Sequence, residues 1–131
     1  MPVMKASIVI SLAGAAVLAL AGCSSDDSSA APTEDSLRAT LDTQYGRLQK
    51  GQYAEDYDTL SQRCQDKFTR EDYAEAASLA YAGRDFSGPQ ELAITMDGDS
   101  ATVIATSFDG KGNKSPMTWR FVEGEWKFDN C

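Results

Sequence analysis

Thiols and carboxylates are the side chains in this sequence that could do chemistry. It has three cysteines (Cys23, Cys64 and Cys131) and 20 Asp and Glu residues, but no histidine. Without an imidazole, the commonest general acid–base group and the usual nucleophile–histidine triads are absent. The thiols can be alkylated or oxidised, whereas a carboxylate or a tyrosine could catalyse proton transfer if burial shifted its pKa.

The first 22 residues have the layout of an export signal. Lys5 precedes an uncharged run over residues 6–21, and small residues follow it. This run is shorter than the about 20 apolar residues that span a bilayer, so a retained anchor helix would need bilayer thinning or snorkelling of Lys5. We therefore expect residues 1–22 to be a cleaved signal peptide, with the retained helix as the alternative.

Leu20-Ala21-Gly22-Cys23 resembles the lipobox of bacterial lipoproteins. The resemblance implies that the Cys23 thiol receives a diacylglyceryl group through a thioether and that the chain is cut before Cys23. It implies anchoring at the extracytoplasmic face of the cell membrane, since each buried methylene contributes about 0.8 kcal/mol. The alternative is a free cysteine after an ordinary secretory signal. Polar and small residues follow, so we interpret residues 23–32 as the lipidated cysteine and a flexible tether.

If the Cys23 thiol carries the lipid, two thiols remain, those of Cys64 and Cys131. In an oxidising compartment they would form a disulfide that closes a loop of about 67 residues and contributes about 4 kcal/mol to stability. The bridge would also hold the last strand, because chain ends fray unless tied down. The alternatives are two buried free thiols or a metal site, and a metal would normally need more N or S ligands. We expect no metal and no cofactor.

The acidic composition excludes some partners. The full chain has a net charge of −8, and losing Lys5 would leave 11 cations against 20 carboxylates, or −9. Nucleic acid is excluded because phosphates require basic patches. The sequence over 109–113 partly resembles a calcium-binding EF-hand loop, but Arg120 occupies the position of the bidentate Glu, which favours a solvated loop. We likewise interpret Asp56-Tyr57-Asp58 as a solvated helix face beside a core tyrosine.

Three helical patterns open the domain at residues 33–131. The first runs from a Thr33 cap to a stop at Gly51. The second has apolar spacing over residues 53–64, which predicts one continuous helix with Cys64 on its core side. The third begins at a Thr69 cap and ends near Gly83.

Four strand-like runs follow the helices. A hairpin is predicted with Asp97-Gly98 as its two-residue turn and residues 101–108 as its second strand. Another joins residues 117–122 to residues 125–131 through Glu123-Gly124. The two faces of the second strand are similarly apolar, so its inner face stays unassigned. These patterns predict an α+β fold, with three N-terminal helices packed on a curved four-stranded antiparallel sheet.

The order of these patterns resembles small lipoproteins with a nuclear transport factor 2-like domain, the cone fold shared with ketosteroid isomerases. The resemblance is carried by Gly51-Gln52-Tyr53, by Leu60-Ser61 and Cys64 before Phe68-Thr69, and by Trp119-Arg120-Phe121 to Trp126-Lys127-Phe128. It implies that residues 33–131 form a cone in which helices and sheet enclose a pocket. Candidate lining residues are aromatic: Tyr45, Tyr57, Trp119 and Phe121, with core packing as the alternative.

Three functions are consistent with this sequence. We favour a non-catalytic module at the membrane that binds a small apolar molecule, a lipid or an envelope protein. A structural or regulatory adaptor for an envelope protein is the second. An isomerase-like enzyme is the third, but no residue matches the catalytic positions of that family. A carboxylate with a strongly raised pKa deep in a pocket would favour the enzyme.

Overall fold

The computed structural model describes residues 31–112 and 114–131. Helices occupy the first half of these residues and a four-stranded antiparallel sheet the second half, so the α+β prediction is confirmed. None of the described helices is both long and apolar enough to cross a bilayer. The elements are α1 (Glu34–Gln49), α2 (Tyr53–Asp56), a 3₁₀ helix (Tyr57–Thr59), α3 (Gln62–Gln65), α4 (Arg70–Ala80), β1 (Glu91–Asp97), β2 (Ser100–Thr106), β3 (Met117–Val122) and β4 (Glu125–Phe128).

Helix α1 begins and ends where its local signals predict. Thr33 and Ser36 form a capping box, in which each side-chain oxygen accepts the backbone N–H of the other residue at 3.1 Å. The helix ends at Gln49, and Gly51 then adopts a positive φ of 68°. Leu37 and Leu41 are buried against the sheet, so this helix supplies the helical side of the core.

The predicted continuous helix over residues 53–64 is wrong. The segment is divided into α2, the 3₁₀ helix and α3, because Leu60 is extended, with φ −70° and ψ 144°. Leu60 forms a bridge to Phe128, and the Ser61 N–H donates to the Phe128 carbonyl at 2.8 Å. Pairing with β4 therefore overrides the helical spacing. Ser61 then caps α3 by accepting the Cys64 N–H.

Helix α4 confirms the third helical prediction. The Thr69 side chain accepts the Asp72 N–H at 3.1 Å, and the helix runs from Arg70 to Ala80. Gly83 adopts a positive φ of 70° beyond its end. The helix packs mainly against α2, so the helices form a layer of their own beside the sheet.

The strands pair in sequence order as β1-β2-β3-β4, all antiparallel. Asp97 pairs with Ser100, so the first turn consists of Gly98 and Asp99, one residue later than predicted. The second turn is confirmed: Val122 pairs with Glu125, and both Glu123 (φ 52°) and Gly124 (φ 81°) are left-handed. Two left-handed residues in a two-residue hairpin loop are typical of a type I′ turn.

One face of the sheet packs on the helices and completes the core. The buried side chains on it include Trp119 of β3 and Trp126 of β4. Ala101 and Val103 belong to the same cluster, which assigns the inner face of β2 that the sequence left open. Alternate residues on β1 are exposed, as expected for an antiparallel sheet with one face in contact with solvent.

Cys64 and Cys131 form a disulfide, as the cysteine parity predicted. The Cys64 side chain is fully buried beside the C-terminal segment. Asp129 strengthens the same junction, because its carboxylate accepts hydrogen bonds from Ser61 (2.6 Å), Arg63 and Arg120. Burial alone would raise the pKa of Asp129, but these bonds and the nearby guanidinium charge of Arg63 lower it below its ordinary value. The end of the chain is thus held covalently and electrostatically.

Candidate functional site

A groove runs along α1 on the side that faces the β3–β4 hairpin. Its volume is about 740 Å³, within the range of ligand sites in proteins. The α1 positions that line it recur every three or four residues, so they form one continuous stripe of the helix. Its lining residues are Thr33, Asp35, Ser36, Ala39, Thr40, Thr43, Arg47, Asp58, Thr59, Phe121, Gly124, Glu125, Trp126 and Lys127.

Hydroxyl groups dominate the α1 wall of this groove, and two lining hydroxyls, Ser36 of α1 and Thr59 of the 3₁₀ helix, join neighbouring elements. The Trp126 indole N–H donates to Ser36 Oγ at 2.9 Å, which fixes the hairpin to the start of the helix. The Arg47 guanidinium donates to Thr59 Oγ1 at 2.9 Å, which fixes the end of the helix to the 3₁₀ helix. The groove therefore has rigid ends, and aromatic surface from Phe121 lies between them.

Charges of opposite sign lie towards opposite ends of the groove. Asp35 belongs to the first turn of α1, whereas Arg47 belongs to its last turn. Lys127 Nζ bonds the Glu125 carboxylate at 2.9 Å and the Asp58 carbonyl at 2.8 Å. Arg47 has no ion pair within the described part of the chain. Its charge nevertheless acts on the nearby carboxyl groups of Asp56 and Asp58, and works to lower the pKa of each.

The four predicted pocket residues do not lie together. Phe121 lines the groove, whereas Trp119 is 2% exposed in the core and packs edge-on against Phe128. Tyr45 is buried; its hydroxyl donates to the Gly88 carbonyl and accepts the Phe108 N–H. The Tyr57 hydroxyl contacts the carbonyls of Gln65 and Phe68. Three of these four aromatic side chains therefore hold the fold together outside this groove.

Asp56 is a buried carboxylate that the sequence interpretation missed, so the prediction of a solvated face over residues 56–58 is wrong for it. It is 2% exposed, its Oδ2 accepts the Tyr73 phenol at 2.7 Å, and its Oδ1 has no hydrogen-bond partner among the described residues. A signal was present: Asp56 lies three residues after Tyr53 and four before Leu60, on the helical face that those apolar residues share.

Burial is the dominant influence on the Asp56 carboxyl group and raises its pKa above the ordinary 3.8. The Tyr73 phenol opposes this most strongly, and Gln44, Arg47 and Thr59 lie near enough to lower the pKa as well. Burial, with the Asp56 charge, also raises the pKa of Tyr73. Asp56 does not line the groove, although its neighbours Arg47 and Thr59 do.

The predicted solvated loop after β2 is anchored at Asp109. Arg84 Nε donates to its carboxylate at 2.8 Å, and the backbone N–H groups of Asp85 and Lys111 donate to it as well. The Arg84 hydrogen bond is the main cause of the strongly lowered pKa of Asp109. This carboxylate is therefore used in a structural ion pair rather than exposed to solvent.

The lipidation residue Cys23 lies outside the described residues. Within the described ranges, no three acidic, cysteine or histidine side chains are placed to hold a metal ion. No family model, curated protein or solved structure matches the chain.

Proposed function

We propose that this protein is a lipid-anchored module at the extracytoplasmic face of the cell membrane, and that it binds a ligand or partner in the groove between α1 and the β3–β4 hairpin. The groove itself is the observation that carries the proposal: it extends over the whole length of α1 and its walls are joined at both ends. Side chains held in this way lose little freedom on binding.

The proposed anchor and the groove are close in sequence. Thr33 caps α1 and lines the groove, directly after the tether that the Cys23 lipid would hold. At about 3.3 Å per residue, a ten-residue tether reaches about 30 Å from the bilayer. The proposed ligand is therefore a molecule found near the membrane surface.

The chemistry of the lining favours an amphipathic ligand over a purely apolar one. Hydroxyl and charged residues are the more numerous in the lining, but apolar atoms contribute the larger part of its surface, and Ala39, Phe121 and Trp126 are among their sources. An acyl chain would leave many of these polar groups without water or partners. We therefore place an envelope protein before a lipid as the occupant.

The finer fold assignment remains part of this proposal. Helices that precede a four-stranded antiparallel sheet are compatible with a nuclear transport factor 2-like cone. In that arrangement the concave side of the sheet and the helices create the binding space, which agrees with a groove bounded by α1 and the last hairpin.

Asp56 favours a second candidate, an enzyme similar to ketosteroid isomerases that transfers a proton through a carboxylate with a raised pKa. The carboxylate and the Tyr73 phenol supply suitable groups 2.7 Å apart. Asp56 does not line the groove, however, and a general base must reach the proton that it removes. The binding module is therefore the better supported function.

Mass spectrometry of protein extracted gently from its own membranes tests this proposal. The covalent mass should begin at Cys23 and include acyl chains, and the native mass should include a bound species. Ala39→Arg fills the groove and should lose that species, whereas Ala76→Arg, at another exposed alanine on α4, should retain it. A mass without acyl chains contradicts the anchor. A bound species that both variants retain, or none in the wild type, contradicts the groove.

A further inference from the structure

We propose that the free edge of β1 binds an extended segment of a partner protein, which adds to the sheet as a further strand and carries a basic residue at each end. No residue of β1 lines the groove, so this surface is separate from it and the inference goes beyond the proposed function. Its support comes from an open backbone edge, from half-buried apolar side chains beside that edge and from two acidic side chains without ion pairs.

The edge of β1 that faces away from β2 is open in the described part of the chain. β1 is an edge strand, and β2 is the only described element whose backbone lies close to it at several positions. The other edge strand differs, because Leu60 and Ser61 pair with Phe128 of β4 and α1 packs on β4. An added strand can therefore reach the sheet at β1 without displacing another described element.

The register of the first hairpin shows which backbone groups point to this open edge. In a two-residue hairpin the pair that flanks the turn exchanges both hydrogen bonds, and such pairs alternate along the strands. Asp97 and Ser100 flank the turn. The N–H and C=O groups that point away from β2 therefore belong to Leu92, Ile94 and Met96. Within the described ranges these groups form no other backbone hydrogen bond.

The edge also lacks the features that usually prevent pairing with another chain. The register of β1 with β2 continues without a bulge from Glu91 to Asp97, and the residues between them include no proline and no charged side chain. Natural sheets usually protect an edge with such features, because an unprotected edge is a template for a further strand. The sequence of β1 thus permits pairing along most of its length.

Side chains on the two faces of β1 define the pattern of the added strand. Leu92, Ile94 and Met96 are half-buried at the margin of the core and offer apolar surface to alternate side chains of that strand. Glu91 and Asp97 are exposed at the two ends of β1, and neither has an ion pair among the described residues. Alternating apolar residues with a basic residue at each end would complement both sets. Because both ends of β1 are acidic, this pattern fits either strand direction.

Charge favours a basic partner over a second copy of the chain. The net charge of the chain is −8. Two copies that paired through β1 would bring acidic strand ends and like net charges together, which opposes association. A segment with basic ends is attracted by the same charges.

A synthetic peptide with this pattern, Lys-Val-Thr-Val-Thr-Val-Lys with blocked ends and a fluorescent label, provides the probe. Fluorescence anisotropy measures its binding to the full chain in detergent. Ile94→Pro should weaken binding at least about tenfold, because proline removes the outward N–H and its ring occupies the edge. No hydrogen bond between β1 and β2 is lost, since Ile94 and Val103 form a non-hydrogen-bonded pair. Ala39→Arg, which fills the groove, should bind the peptide as the wild type does.

Reversal of charge gives a second, independent variant. Glu91→Lys/Asp97→Lys should weaken binding of this peptide about fivefold, a modest effect because exposed ion pairs are weak. It should strengthen binding of the same peptide with glutamate at both ends. Glu71→Lys/Glu75→Lys makes the same change of net charge at exposed positions of α4. At about 0.15 M salt it should leave both affinities nearly unchanged, because charges more than about 8 Å apart are largely screened.

Strand addition at β1 is supported if Ile94→Pro weakens binding and the affinities follow the reversed charges. It is overturned if the wild type does not bind the peptide, if Ile94→Pro binds as the wild type does, or if both charge-reversed variants weaken binding equally. Sedimentation without peptide tests the other occupant, since self-association that Ile94→Pro abolishes would assign the edge to a second copy and overturn the basic partner. Thermal unfolding controls for misfolding, and the charge-reversed variants decide the question if Ile94→Pro does not fold.

Discussion

At the scale of single residues, Asp56 is the most unusual group in the described structure. A buried carboxylate with one unpartnered oxygen opposes folding when it is ionised. Tyr73 of α4 and Arg47 of α1 offset part of that cost, and Tyr81, directly after α4, contributes a further phenol nearby. Helices α1, α2 and α4 thus meet around Asp56, so its protonation state bears on how they pack.

The Asp56→Asn variant should reveal this cost as a pH dependence. The native pKa of Asp56 is raised above 3.8, so the native state binds its proton more readily than the unfolded state does. The stabilising contribution of this group is therefore complete below pH 3.8 and is lost as the pH rises through the native pKa. Urea unfolding at pH 4 and pH 7.5 should show Asp56→Asn gaining stability relative to the wild type at the higher pH. An equal difference at both pH values would contradict the assigned shift.

At the scale of elements, α1 and the last hairpin build the groove. Local sequence signals were sufficient to predict both elements, because a capping residue, an apolar stripe and a pair of turn residues each involve neighbouring positions in the sequence. The interruption at Leu60 was not predictable in this way, because its cause is a bridge to Phe128, far away in sequence. Asp56 was missed because exposed acidic neighbours concealed its place on the apolar face.

Two glycine substitutions in these elements should change stability in opposite directions. Gly124→Ala places a side chain at φ 81° in the hairpin turn and should cost about 1 kcal/mol. Gly46→Ala, inside α1 with nothing within 4 Å of the added Cβ, should gain about 0.5–1 kcal/mol. Chemical unfolding of both variants measures this. A stabilised Gly124→Ala would contradict the type I′ turn that sets the register at Trp126.

At the scale of the whole molecule, the disulfide joins the helical half to the end of the sheet. Removing a native disulfide from a small domain costs about 2–5 kcal/mol. Cys131→Ser should therefore lower the unfolding midpoint markedly, whereas Cys23→Ser, which removes the proposed lipid site, should leave the midpoint of detergent-solubilised protein unchanged. A reductant should lower the wild-type midpoint and leave Cys131→Ser unaffected. Equal midpoints for wild type and Cys131→Ser would contradict a stabilising bridge.

The layout of the whole domain was largely predictable, because helical patterns in one half and strands in the other leave few ways to bury both apolar faces. The groove was not predictable from the sequence, because the aromatic residues proposed to line a pocket pack in several separate places. Most of its lining residues are threonines and charged residues, whose spacing does not distinguish a binding surface from an ordinary solvated one.

Photo-crosslinking in intact cells tests the central claim most directly. A photoreactive residue at Thr43, an exposed position in the groove, should crosslink the membrane-anchored protein to a defined species, whereas the same residue at Glu75 on the exposed side of α4 should not. Adding Ala39→Arg should abolish the Thr43 crosslink. Identical crosslinks from both positions, or a Thr43 crosslink that survives Ala39→Arg, would contradict a ligand-binding groove between α1 and the β3–β4 hairpin.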